Sequence, residues 1–85
     1  MAALLTPGQL GGMLPKDERF REFVSQYMVP PRMPSVDEAA HFIRVACEIE
    51  SRREIAQSAR AAAAFHRFIC RPFSAWQAKQ THVEV

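Results

Sequence analysis

Apolar residues recur along this chain at the three- and four-residue steps that place side chains on one face of a helix. From Lys16 to about Met28, the residues Phe20, Phe23, Val24, Tyr27 and Met28 stand at i, i+3, i+4, i+7 and i+8. Asp17 and Glu18 fall in the first turn, where the helix dipole favours negative charge, and Arg19, Arg21 and Glu22 take the outer face. Pro30, Pro31 and Pro34 end that helix, because each lacks an N–H and each disfavours a helical residue before it. The segment PPRMP is then a stiff extended connector. Ser35 and Glu38, three apart, form a capping box that opens a second helix from Val36 to about Cys47. Its inner stripe is Ala39, Ala40, Ile43, Ala46 and Cys47, widened by Phe42 and Val45, so this helix wants contacts on two sides.

The longest pattern lies between Ser51 and Gln77. Ile55, Ala59, Ala62, His66, Ile69, Phe73 and Trp76 follow one another at alternating steps of four and three, which predicts one buried seam covered by the two earlier helices. Ser51 and Glu54 form a second capping box, making the preceding CEIE a tight turn with Ile49 plugged into the core. Ser58 is a fresh N-cap, so a break is expected there, followed by a long helix from Ala59 to Cys70. Pro72 predicts a kink or break at Arg71 and a last helix from Pro72 to about Lys79.

Residues 1–15 hold three glycines and two prolines and show no sustained period, which predicts a flexible N-terminal arm, either anchored by Leu10, Met13 and Leu14 or opening a single turn around Pro7 in LTPGQL. Residues 16–79 form a single helical domain, and residues 80–85 a frayed C-terminal tail. The fold class that follows is all-α, a small orthogonal bundle of four to five helices with no sheet. At 48% hydrophobic and 24% charged, the composition is that of a globular chain and not of a disordered one. No apolar run reaches the roughly 18 residues that would span a bilayer, and no basic residue precedes the short apolar start, so no membrane association and a cytoplasmic location are expected. Cys47 and Cys70 lie outside any CxxC pattern, as two buried thiols of a reducing compartment would.

Net charge is +2, unevenly placed: residues 1–50 carry five basic against seven acidic side chains, and residues 51–85 carry six against two. Such a chain can pair its two ends in a homo-oligomer or show opposite surfaces to two partners. Arg53, Arg60, Arg67 and Arg71 would line a basic stripe on one continuous helix, able to contact nucleic-acid phosphates, although solvated arginines on an outer face look the same. The two capped segments around CEIE have the outline of a helix-turn-helix, but the turn lacks glycine and Glu48, Glu50 and Glu54 would face phosphate. His66 and Cys70, four apart, suit one face and could share a zinc with His41 or Cys47, but those two are six apart and point in different directions. The bland alternative is a satisfied or exposed histidine, and no metal, cofactor or small-molecule substrate is predicted. Catalysis has no support, since there is no glycine-rich phosphate loop, no recognisable nucleophile and no isolated carboxylate pair.

Six Phe, four Met, one Trp and one Tyr are many large apolar groups for 85 residues to bury. Phe68, Phe73 and Trp76, with Met33, are the expected residue of that excess, an interaction patch with arginines at its rim. The runs LPKDERFREFV (14–24), ESRREI (50–55), FHRFI (65–69) and RPFSAW (71–76) resemble parts of short uncharacterised proteins of bacterial temperate phages and prophages. That resemblance implies a bacterial cytoplasm and an accessory role near phage replication or recombination, and it transfers no functional residue. The function expected from the sequence is a non-catalytic protein–protein interaction module, a phage or prophage accessory that binds a protein partner or a second copy. The alternative is a nucleic-acid-binding accessory protein acting through the arginine face.

Overall fold

The computed structural model describes residues 7–82, and among them every regular element is helical and no strand occurs. Residues 1–6 of the expected arm and 83–85 of the expected tail lie outside the described residues. α1 (Pro7–Met13) leads through a 3-10 turn (Leu14–Lys16) into α2 (Glu18–Ser25), α3 (Val36–Cys47) and the short α4 (Glu54–Gln57). After Ser58, α5 (Ala59–Phe65), a π turn (His66–Cys70) and α6 (Arg71–His82) run on as one rod. α3 is central: it packs against the 3-10 turn, α2, α5 and the π turn.

Over Pro7–Met13 the expected arm is a helix. Its glycines argue against helix by propensity, at about 1 kcal/mol each, yet two of the three, Gly8 and Gly11, are what lets it dock. A Cβ on Gly8 would stand 2.7 Å from the Ala56 Cβ, and one on Gly11 2.8 Å from Ile55 Cδ1, so α1 lies closer to α4 than a side chain permits. Arg52 closes this joint, its Nη1 donating to the carbonyls of Gly11 at 3.0 Å and Gly12 at 3.4 Å, groups left without partners at a helix C-terminus. Of the expected anchors, Leu14 is buried, Leu10 packs at the core's edge and Met13 is exposed.

Asp17 is the N-cap of α2, accepting the Arg19 N–H at 2.9 Å. Phe20, Phe23 and Val24 are buried as the spacing predicts. Tyr27 is not: α2 ends at Ser25, the next turn changes the phase, and the tyrosine is 56% exposed. The capping box at Ser35 forms in both directions, with the Glu38 N–H bound to Ser35 Oγ at 3.1 Å and the Ser35 N–H bound to Glu38 Oε1 at 2.8 Å. Arg32 adds a two-pronged bond to the same carboxylate, 2.9 Å and 2.5 Å, and ties the proline connector to α3. Ile49 is buried, and the turn that places it has Glu48 in the left-handed region with the Ile49 N–H reaching back to the Arg44 carbonyl at 3.0 Å.

At Ser51 the box is half formed. Glu54 Oε2 accepts the N–H groups of Glu50 and Ser51, while Ser51 Oγ takes the N–H of Arg53 at 3.3 Å. The break at Ser58 is present: its backbone is extended and its Oγ caps the Ala61 N–H at 3.2 Å. Of the kink or break expected at Arg71 there is no break: a π turn over His66–Cys70 runs directly into α6 at Arg71. The Arg71 N–H bonds to the His66 carbonyl five residues back, and the wide turn moves the Phe68 carbonyl away from the ring of Pro72, which a plain α-helix would bring into collision.

That turn also corrects the seam. Ile55, Ile69 and Phe73 are buried, but Ala59 and His66 face solvent and Ala62 and Trp76 are half-buried. The buried row of the rod is Ala61, Phe65, Ile69 and Phe73, in steps of four. In a straight α-helix each such step drifts by about 40°, and the wider π turn takes up the excess so that one face stays on the core. Phe20 and Phe23 of α2 meet that row, with Phe73 edge-on to Phe20 at 5.3 Å and tilted against Phe23 at 5.5 Å.

Candidate interaction surfaces

The structure separates the three residues expected to form a patch. Phe73 is only 7% exposed and belongs to the core, because the rod continues past Pro72 and carries it beneath α2. Trp76 is half-buried, stacked on Phe73 at 6.2 Å and against Phe23 at 5.9 Å, with the Arg19 guanidinium over its outer face at 5.6 Å. Of the three, only Phe68 points outward, 49% exposed in the π turn, with the Arg67 guanidinium 5.5 Å from its ring. Met33 is exposed on the proline connector.

Of the arginine stripe, Arg60, Arg67 and Arg71 are exposed on the rod, while Arg53 lies ahead of α4 and beyond the Ser58 break. Arg60 Nη2 donates to the Glu48 carbonyl at 3.5 Å, at the end of α3. The helix-turn-helix outline is not realised as a reading head, since α4 spans only Glu54–Gln57, a single turn. Cys47 and Cys70 are both free thiols, the first buried and the second half-buried. Burial pushes both upward, Cys47 further through Cys70 with Arg60 opposing, which keeps them protonated at neutral pH. His66 and His41 are exposed, and among the described residues no three His, Cys, Asp or Glu side chains converge as metal ligands.

Two hollows bring together residues that the sequence pattern does not associate. One, of about 450 Å³, lies between α2 and α3. Val24, Met28, Phe42 and Val45 line it with apolar surface, and Asp37, Glu38 and His41 with polar surface. Val45 is 61% exposed, and the exposed Tyr27 ring packs on Phe42 at 5.4 Å beside it. The sequence signal was the width of α3's apolar arc, which exceeds what one neighbour covers. Glu38 is held ionised there: the Arg32 hydrogen bond, then the Ser35 N–H, lower it from an ordinary value of 4.5 to about 2, and the same contact raises Arg32.

The second hollow, of about 630 Å³, lies where α1, the 3-10 turn, α3 and the approach to α4 meet. Lys16, Arg44, Arg52 and Arg53 line it, with Glu50 as its acidic residue and Gly8 and Gly12 as bare backbone. Apart from Arg53, these cations belong to no periodic stripe, because they come from separate segments that only the docking of α1 assembles. No protein-family model, curated protein or solved structure matches the chain.

Proposed function

We propose that the protein is a non-catalytic interaction module that associates head to tail with further copies of itself. The observation that carries this reading is the apolar hollow between α2 and α3, open to solvent at Met28, Phe42 and Val45. Its occupant is the π turn of a second copy. Phe68 supplies a projecting aromatic, and Arg67 and Arg71 flank it with positive charge that suits Asp37 along the hollow, Glu38 being already paired with Arg32. The uneven charge of the chain, acidic up to residue 50 and basic after it, favours the same opposite-end pairing. A contact between two different patches leaves one of each free, so copies add in series instead of closing as a two-fold pair. The setting that goes with this reading is an accessory protein of the bacterial cytoplasm, in keeping with the resemblance to short temperate-phage proteins; among the described residues no helix is long and apolar enough to cross a membrane.

Sedimentation equilibrium tests the reading with two surface variants. Val45→Glu spoils the hollow and Phe68→Ala removes the projecting ring, and both positions are exposed, so the fold remains. The wild type is expected to gain mass with concentration while each variant stays monomeric. An equimolar mixture of the two variants forms dimers that go no further, since one copy retains the hollow and the other the ring. A wild type that stays monomeric at every concentration, or a mixture that does, overturns the proposal.

A further inference from the structure

We infer that the hollow between α1, α3 and the approach to α4 is a binding site for the phosphate groups of a polyanion. This goes beyond the self-association reading and uses different residues. Among the described residues the ion pairs are Arg19–Glu22 and Arg32–Glu38, so no carboxylate neutralises Lys16, Arg44, Arg52 or Arg53. Glu50 is the one acidic residue of the lining; Glu54, outside the lining, keeps its charge but turns Oε2 onto the N–H groups of Glu50 and Ser51. Four cations facing one carboxylate across a shared concavity raise the local positive potential and select a multiply charged anion over a single carboxylate.

The side chains are also held for the purpose. Arg52 spends one guanidinium nitrogen, Nη1, on the Gly11 and Gly12 carbonyls, which fixes its plane and leaves its other N–H groups for a ligand. Arg44 is half-buried in the last turn of α3 and Lys16 ends the 3-10 turn, so these two cations stand on elements packed against one another. Gly12 opens the floor: a Cβ there would meet nothing within 4 Å. With about 630 Å³ the hollow admits a chain of several phosphates, whether free, as in a nucleotide or inorganic polyphosphate, or joined by sugars in a nucleic-acid backbone.

The test measures binding of tripolyphosphate and of a labelled single-stranded oligonucleotide to the full chain at low salt. Tripolyphosphate is expected to bind, and each of Arg44→Ala and Arg53→Ala to weaken it by about tenfold, with a steep loss as salt rises. Gly12→Glu places a carboxylate in the open floor and is expected to abolish binding, while Gly12→Ala leaves it unchanged. Arg67→Ala, on the rod, also leaves it unchanged, as do Val45→Glu and Phe68→Ala, so failure of this site and failure of self-association are told apart. Oligonucleotide binding that tripolyphosphate displaces assigns the site to a nucleic-acid backbone; tripolyphosphate binding alone assigns it to a free polyphosphate. Binding of neither probe, or binding that Gly12→Glu and Arg44→Ala leave intact in proteins whose Trp76 fluorescence shows a native core, overturns the inference.

Discussion

Glu48 is the one non-glycine residue with positive φ among the described residues, at φ 57° and ψ 49°. The position is the turn after α3, where the Glu48 N–H reaches the Arg44 and Val45 carbonyls and the Ile49 N–H returns to Arg44. This is the helix ending in which glycine is the common choice, because a Cβ in the left-handed region costs about 1–2 kcal/mol. The Arg60 bond is to the main-chain carbonyl and survives loss of the side chain. Glu48→Gly is therefore expected to stabilise the fold by about 1 kcal/mol, raising the melting temperature by roughly 4–8 °C in a thermal denaturation. A melting temperature that stays level or falls would show that the carboxylate has a compensating contact. The sequence announces the turn and the burial of Ile49 but conceals its geometry, since no glycine marks the left-handed position. Arg21 is a second residue that periodicity misplaces: it sits half-buried in α2, with its Nε shut off from solvent and without a partner.

Helix starts were legible at Ser35 and Ser58, where a side chain competes locally for backbone donors, and less so at Ser51, after which α4 begins only at Glu54. The box at Ser35 and the break at Ser58 depend on neighbours within three residues, and both form as the sequence predicts. The π turn was not legible, because it answers two demands that no short window contains: the missing donor of Pro72 and the need to keep Ala61, Phe65, Ile69 and Phe73 on one face. The start of α3 has a pH signature. Glu38 titrates at about 2 in the folded chain and near its ordinary 4.5 when unfolded, so the unfolded chain binds its proton first as pH falls. Its contribution is complete above 4.5 and lost progressively as pH drops toward 2. Glu38→Gln is expected to remove that part of the acid limb in a plot of melting temperature against pH. Because both partners of the Arg32–Glu38 pair are exposed, the effect is small and shrinks with added salt. An acid limb unaltered by the substitution would assign the loss of stability to other carboxylates.

The whole molecule measures 39 × 36 × 19 Å, so its thin dimension holds about two layers of helices. In so flat a body each helix buries one face, which is why α3, with an apolar arc too wide for one face, leaves Val45 and part of Phe42 in the open. The sequence shows that apolar groups are in excess. Which of them remain outside is decided by layer packing, and it fell on the α2–α3 side instead of the Phe73 and Trp76 end. The same flatness makes the edge helix α1 depend on contact distance, where Gly8 faces Ala56. In an open helix, glycine to alanine stabilises by up to about 1 kcal/mol, so the sign of Gly8→Ala reports the packing. With the new Cβ only 2.7 Å from that of Ala56, the substitution is expected to destabilise by roughly 1–2 kcal/mol in chemical denaturation. Ala56→Gly removes the opposing atom at a propensity cost of at most about 1 kcal/mol, and in the double variant it restores room for the alanine. The cycle should thus show a favourable coupling of about 1–3 kcal/mol between the two positions. Strict additivity, or a stabilising Gly8→Ala, would mean that α1 does not hold this approach to α4, and the cationic hollow that α1 completes would lose its floor.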